Sequence, residues 1–222
     1  MKDLKKGIKL MAYGLQFKTM IGMFAFFLVF GVLMEIFLND EMGNMGGFYF
    51  VICGSFIYQL IITSSVASYI SSSPLKKKIQ TTLPSVLSFL TVAIFFTVFV
   101  VMRSIRLSVA NYDAKVIMSG YKGILLVAIL AMVIQIYNSF AYKFFWASTI
   151  GLLVVMVPIM IIGMRGYRLV VFKPFASNIA YVALGYVLLI VGVLLSVIIG
   201  KAIYKREIDP MSTRTALARA GR

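Results

Sequence analysis

Histidine is absent from this chain, and cysteine occurs once, at Cys53. No disulfide can therefore close within the chain, and no zinc site of the His/Cys type can form. Cys53 has no histidine to draw off its proton and lies among Val51, Ile52 and Phe56. A small buried hydrophobe is the reading that fits it, ahead of a thiol nucleophile. A phosphate loop of the Gly-x-x-x-x-Gly-Lys-Ser/Thr form does not occur, so the chain by itself is not expected to hydrolyse ATP. No nucleophile–base pair is visible either, which argues against an enzyme. The one acid well inside an apolar stretch is Glu35. A carboxylate within a membrane is a functional candidate by default. Its nearness to Asp40 and Glu41 also puts it within reach of headgroups, or of Arg103 or Arg106, and the structural pair is the favoured reading.

Two sets of small and polar residues recur at helical spacing. Gln59, Thr63, Ser64, Ala67, Ser68 and Ser71 share one face, and Ala128, Ala131, Gln135, Asn138 and Tyr142 form a single stripe. Such stripes either pack helices together or line a solvated pathway. Gln59, Thr63, Ser64, Gln135 and Asn138 are the candidates under both readings.

Two further segments could meet a partner. Leu4, Ile8, Met11 and Leu15 fall on one helical stripe, while Lys2, Lys5, Lys6 and Lys9 face the other way. This pattern predicts an interfacial helix lying on the membrane, either as a topology anchor or as a lever that touches a soluble partner. In the segment from Ser71 to Pro84, Ser73 suits an N-cap and Pro74 a first helical turn. Leu75 and Ile79 then share a face, surrounded by Lys76, Lys77 and Lys78. The segment reads either as a basic docking knob or as three solvated lysines that enforce topology.

The elements that must position these residues are six long apolar runs. They lie near 19–38, 48–69, 83–102, 124–141, 145–164 and 178–200. Each is long enough to cross about 30 Å of hydrocarbon as a helix. Hydrophobic residues make up 61% of the chain and charged residues 13%, against about 25% charged in a soluble domain. The runs are continuous rather than alternating, so helices are expected instead of a barrel. The fold expected is one all-α integral membrane domain over 1–205. A tail at 206–222 follows, turning to Ala and Arg from Ser212 onward as an appended segment would. The first run is expected to remain as a span rather than be removed as a signal peptide.

Of the 22 Lys and Arg residues, fifteen fall on the side that holds both termini and seven on the other. Positive residues are retained in the cytoplasm, so both termini are expected there, with the protein in the cell membrane. The net charge of +15 is then a topology signal and an attraction to anionic lipid, and no folded basic domain exists to bind nucleic acid. Trp146, Tyr142, Tyr49, Tyr121 and Tyr204 sit at the expected span ends, as an aromatic belt does. Pro158 predicts a kink in the fifth run. Gly163, Gly166 and Pro174 suggest a broken hairpin over 163–177.

The order of these parts resembles a permease subunit of the type-2 ABC exporter family. An amphipathic helix precedes six spans, and a short helix over 73–80 lies between the second and third. The segment from Ser73 to Pro84 is similar to that family's coupling loop, where a Leu-Pro step, here Leu83-Pro84, commonly leads into the third span. The resemblance implies that two such permeases, identical or related, each dock one soluble ATPase, which would bind the ATP and magnesium that this chain does not. The contacts would be Ser73, Pro74, Leu75, Lys76, Lys77, Lys78 and Ile79, together with the interfacial helix carrying Leu4, Lys5, Ile8, Lys9, Met11 and Leu15. It further implies outward movement of an amphipathic substrate such as a peptide, toxin or antibiotic. The basic stretch 103–123 is expected to be an outer loop, longer than a compact permease needs. A non-transport immunity or scaffold protein and a stand-alone carrier are the alternatives. The carrier is weakened by the lack of paired acids or a His/Asp relay within the spans.

Overall fold

A lipid environment leaves backbone N–H and C=O groups no water to bond, so each apolar run must satisfy its own in a helix. A computed structural model of the chain describes residues 17–37, 44–65, 76–109, 112–164 and 177–210. Among these, 91% are helical and none is in a strand. The helices are α1 (Phe17–Phe37), α2 (Met45–Ser65), α3 (Lys76–Gln80), α4 (Thr82–Val109), α5 (Ala114–Ala141), α6 (Phe145–Met164) and α7 (Asn178–Ala202). By length and composition α1, α2, α4, α5 and α7 can each cross a membrane. The described apolar stretch of α6, Trp146–Ile159, is shorter. The chain is thus an all-helical, multi-pass membrane protein.

Helix α5 is the hub. It packs most extensively on α7 and also meets α2, α4 and α6. Its Ile124, Ala128 and Ala131 are fully buried, and they join Phe50, Val92, Phe96, Phe99, Val127 and Leu189 in one core. Small residues let the backbones approach where no hydrophobic force drives helices together in lipid. At Gly54 of α2 an added Cβ would lie 2.2 Å from a Val92 methyl of α4. At Gly192 of α7 it would lie 3.1 Å from the Met132 Cα of α5. The outer faces carry Ile94, Val154, Val157, Val187, Leu194 and Ile198, all exposed. An apolar surface of that extent suits lipid and not water.

Pro84 falls in the first turn of α4, where its missing N–H costs nothing. Pro158 lies inside α6, and the helix continues past it to Met164. α1 and α7 begin and end within two residues of the runs read from sequence, and α6 coincides with its run.

The expected outer loop 103–123 is corrected. Helix α4 runs on to Val109, and α5 begins at Ala114. Each has 28 residues, about 42 Å of helix. Hydropathy placed the end of the third run at the first arginine, but Arg103 has a buried counter-charge that lets the helix continue. Arg103 and Arg106 are therefore helical residues of α4, not loop residues, and Lys115 and Lys122 belong to α5. The interfacial helix falls outside the described residues, as do the end of the second run beyond Ser65, Ser73, Pro74 and Leu75, and most of 163–177.

Candidate functional site

The buried residue of the short helix α3 is Ile79. It lies between Ile61 of α2 and Leu87 of α4, with Ile57 and Leu83 around them. The Thr81 hydroxyl donates to the Lys77 carbonyl at 2.7 Å, closing the last turn. Lys77 and Lys78 are exposed, and Lys76 is half-buried. The Lys77 ammonium stands 5.9 Å from the centre of the Tyr204 ring, just beyond α7. The end of α7 also reaches the α3–α4 link, since Gly200 lies against Thr81.

Two other segments reach this end of the bundle. Tyr142, after α5, stacks on Tyr58 of α2 with ring centres 5.6 Å apart, and Ile208 packs on the pair. The Asp209 N–H donates to the Tyr142 carbonyl at 2.7 Å. The Lys143 ammonium donates to the Arg206 carbonyl, and the Arg206 guanidinium lies 4.6 Å over the Phe144 ring. Burial pushes Lys143 below the usual lysine pKa, the Lys76 charge pushes the same way, and Glu207 partly opposes both. Residues 76–81, 142–144 and 200–209, far apart in sequence, thus form one basic platform.

The polar stripes are used for packing as far as their bonds are described. Thr63 donates to the carbonyls of Gln59 and Leu60 at 2.9 and 3.1 Å, and Ser64 to that of Leu60 at 2.8 Å. Both hydroxyls bond back to the preceding turn. Gln59 is half-buried. Asn138 of α5 donates to the Ser55 hydroxyl of α2 at 3.0 Å. Gln135 differs: it is 3% exposed, and neither atom of its amide has a hydrogen-bond partner among the described residues. Its Oε1 faces Gly192, where an added Cβ would come within 2.9 Å. Sequence reasoning missed the partner surface on α7. There Gly185, Gly192, Ser196 and Gly200 are all buried, and Ser196 shares a 2.9 Å hydrogen bond with Ser85 of α4. The spacing of those glycines, seven and eight residues apart, was the available signal.

At the opposite end Glu35 meets Arg103. Nε and Oε1 are 2.7 Å apart, with the side chains 8% and 3% exposed. That leg is an ionic contact without hydrogen-bond alignment. Nη2 donates to Oε2 at 3.3 Å and lies 3.4 Å from the Asn44 Oδ1. The Arg106 guanidinium donates to the Glu35 backbone carbonyl at 3.2 Å. It thereby caps the last turn of α1, where the helix dipole is negative. Gly46 makes room for the carboxylate, because a Cβ there would lie 2.7 Å from Oε2. Arg103 also lies 5.4 Å from the centre of the Phe99 ring. This constellation clamps α1 to α4.

No group of three or more potential metal ligands occurs among the described residues. No family model, curated protein or solved structure matches the chain.

Proposed function

We propose that the chain is the permease subunit of an ATP-driven exporter, with α6 as a sixth span, an interfacial helix at its N-terminus and both termini in the cytoplasm. The observation that carries this reading is α3. It is a five-residue helix between two spans, anchored by the buried Ile79, with Lys77 and Lys78 exposed and Lys77 beside Tyr204. A rigid knob fixed to α2 and α4 can pass a push from a soluble ATPase into both helices at once. Binding of ATP and magnesium belongs to that partner, and a second permease completes the pathway for an amphipathic substrate. The neutral polar side chains of the interior, Gln135 foremost, suit such a substrate better than a small ion.

A non-transport scaffold is the second reading. It draws support from the hydroxyls of Thr63 and Ser64, which are bonded within their own helix and offer a pathway little.

The test begins with purification of the full chain from its native membrane in mild detergent. A soluble protein with a phosphate loop, present in equal amount, is the expected companion. Lys77→Glu with Lys78→Glu should then lower substrate-stimulated ATPase activity while membrane insertion persists. Reproducible absence of any ATPase, after gentle cross-linking as well, would move the assignment to the scaffold.

A further inference from the structure

Beside the basic platform the surface between α5 and α6 opens into an apolar groove of about 460 Å³. That volume lies within the range of about 300–1,000 Å³ typical of small-molecule sites. Tyr137 and Phe140 of α5, Phe144 of the turn, and Ala147, Gly151 and Val155 of α6 line it. From Phe144 to Val155 is eleven residues, or about 16 Å of helix rise. Half of a hydrocarbon core about 30 Å thick is nearly the same length. With α6 taken as a sixth span, as proposed above, the groove would start at headgroup level and end near the bilayer midplane.

Its mouth is cationic. Phe144 is both a wall of the groove and the ring on which Arg206 lies. Lys143 is the next residue back along the chain and bonds to the Arg206 carbonyl. Lys76 adds its charge to Lys143, and Glu207 is the opposing charge on the same group.

We propose that this groove and its rim hold one anionic phospholipid, with an acyl chain along α5 and α6 and the phosphate on Lys143 and Arg206. Both halves of the ligand are matched by contiguous protein chemistry. A free phosphate would use the rim alone. A second copy of the chain would have no reason to stop one leaflet deep. The inference does not depend on whether the chain transports anything.

Native mass spectrometry of the full chain, released from neutral detergent, tests it. The probes are dipalmitoyl phosphatidylglycerol, phosphatidylcholine with the same chains, and inorganic phosphate. One phosphatidylglycerol should remain bound after phosphatidylcholine has left. Each cation near a membrane surface contributes about fivefold in affinity, so Lys143→Gln with Arg206→Gln should weaken phosphatidylglycerol about thirtyfold. Phosphatidylcholine should be little changed by that pair. Gly151→Leu should weaken both lipids by filling the groove, and it should fold, because a Cβ at Gly151 meets nothing within 4 Å. Equal retention of the two lipids by the unmodified chain would overturn the proposal, as would phosphatidylglycerol binding that neither set of changes alters. Displacement of the lipid by equimolar phosphate would reduce the site to an anion site. A Gly151→Leu chain that turns from dimer to monomer with lipid retention intact would assign the groove to a second copy.

Discussion

Removing Arg103 should loosen the end of α1 from the bundle. Gly31 and Glu35 are the buried residues of α1, and the rest of its hold comes from ring contacts such as Phe30 on Tyr49 of α2 and Phe24 on Phe95 of α4. Glu35 would be left 4% exposed with its close counter-charge gone. Breaking a buried pair from one side costs about 3–5 kcal/mol, because a lone charge stays behind in a poor solvent for it. Replacing both partners by apolar side chains of similar volume is often neutral. Arg103→Met should therefore destabilise by about 3 kcal/mol or more, and Glu35→Met with Arg103→Met by much less. Glu35→Gln keeps the shape and should fall between them. The assay is reversible unfolding in mixed micelles of mild detergent and dodecyl sulfate, run as a double-mutant cycle. A coupling near the upper end of the usual range of about 0.5–3 kcal/mol is expected. Cross-linking between the end of α1 and α4 should fall in the single variant and return in the double one. A coupling below about 0.5 kcal/mol, or a double variant as unstable as the sum of the singles, would refute the clamp.

Gln135→Leu should leave the protein as stable or more so, since an unpartnered buried amide costs about 1–3 kcal/mol; a loss above about 1 kcal/mol in the same unfolding assay would mean that the amide has a partner. Gly192→Leu should destabilise by about 1–3 kcal/mol through overpacking of α5 against α7, and an unchanged melting temperature would show that the two helices can part. Asn138→Ala and Ser55→Ala should couple by roughly 0.6 kcal/mol, the average for hydrogen bonds between membrane helices, and purely additive effects would remove that bond from the description. Lys143 is held below its ordinary value of 10.5, so the folded state disfavours its charge and the unfolded state binds the extra proton between the two values. Stability should rise with pH through that window relative to Lys143→Gln, and a flat difference between the two chains would contradict the burial assigned to it.

How far the sequence carried can be judged helix by helix. The apolar runs, the stripe of Ala128, Ala131, Gln135, Asn138 and Tyr142, and a short helix over 73–80, described over Lys76–Gln80, were all visible in it. A stripe is visible because helical periodicity is a local property, and every member of this one is buried. The start of α5 was misplaced because its first turns carry Lys115 and Lys122, and the end of α4 because hydropathy counts Arg103 as a full charge. That count is wrong only because Glu35 lies 2.7 Å away, 68 residues earlier in the chain. The face of α7 was missed because glycine has no apolar side chain to register in a hydrophobic pattern.

By itself the sequence determined that the chain lives in a membrane as a set of helices, because the length of an apolar run and the absence of solvent for its backbone are one-dimensional facts. It also determined the charge asymmetry of the two ends. Only the tertiary structure decided which charges neutralise each other, which hydroxyls close on their own helix and which join two. It alone brought Lys76, Lys143 and Arg206 to one place beside an apolar groove. These are matters of distance between residues remote in the chain, and helix packing sets such distances through shape at glycine and serine contacts, to which composition and periodicity are blind.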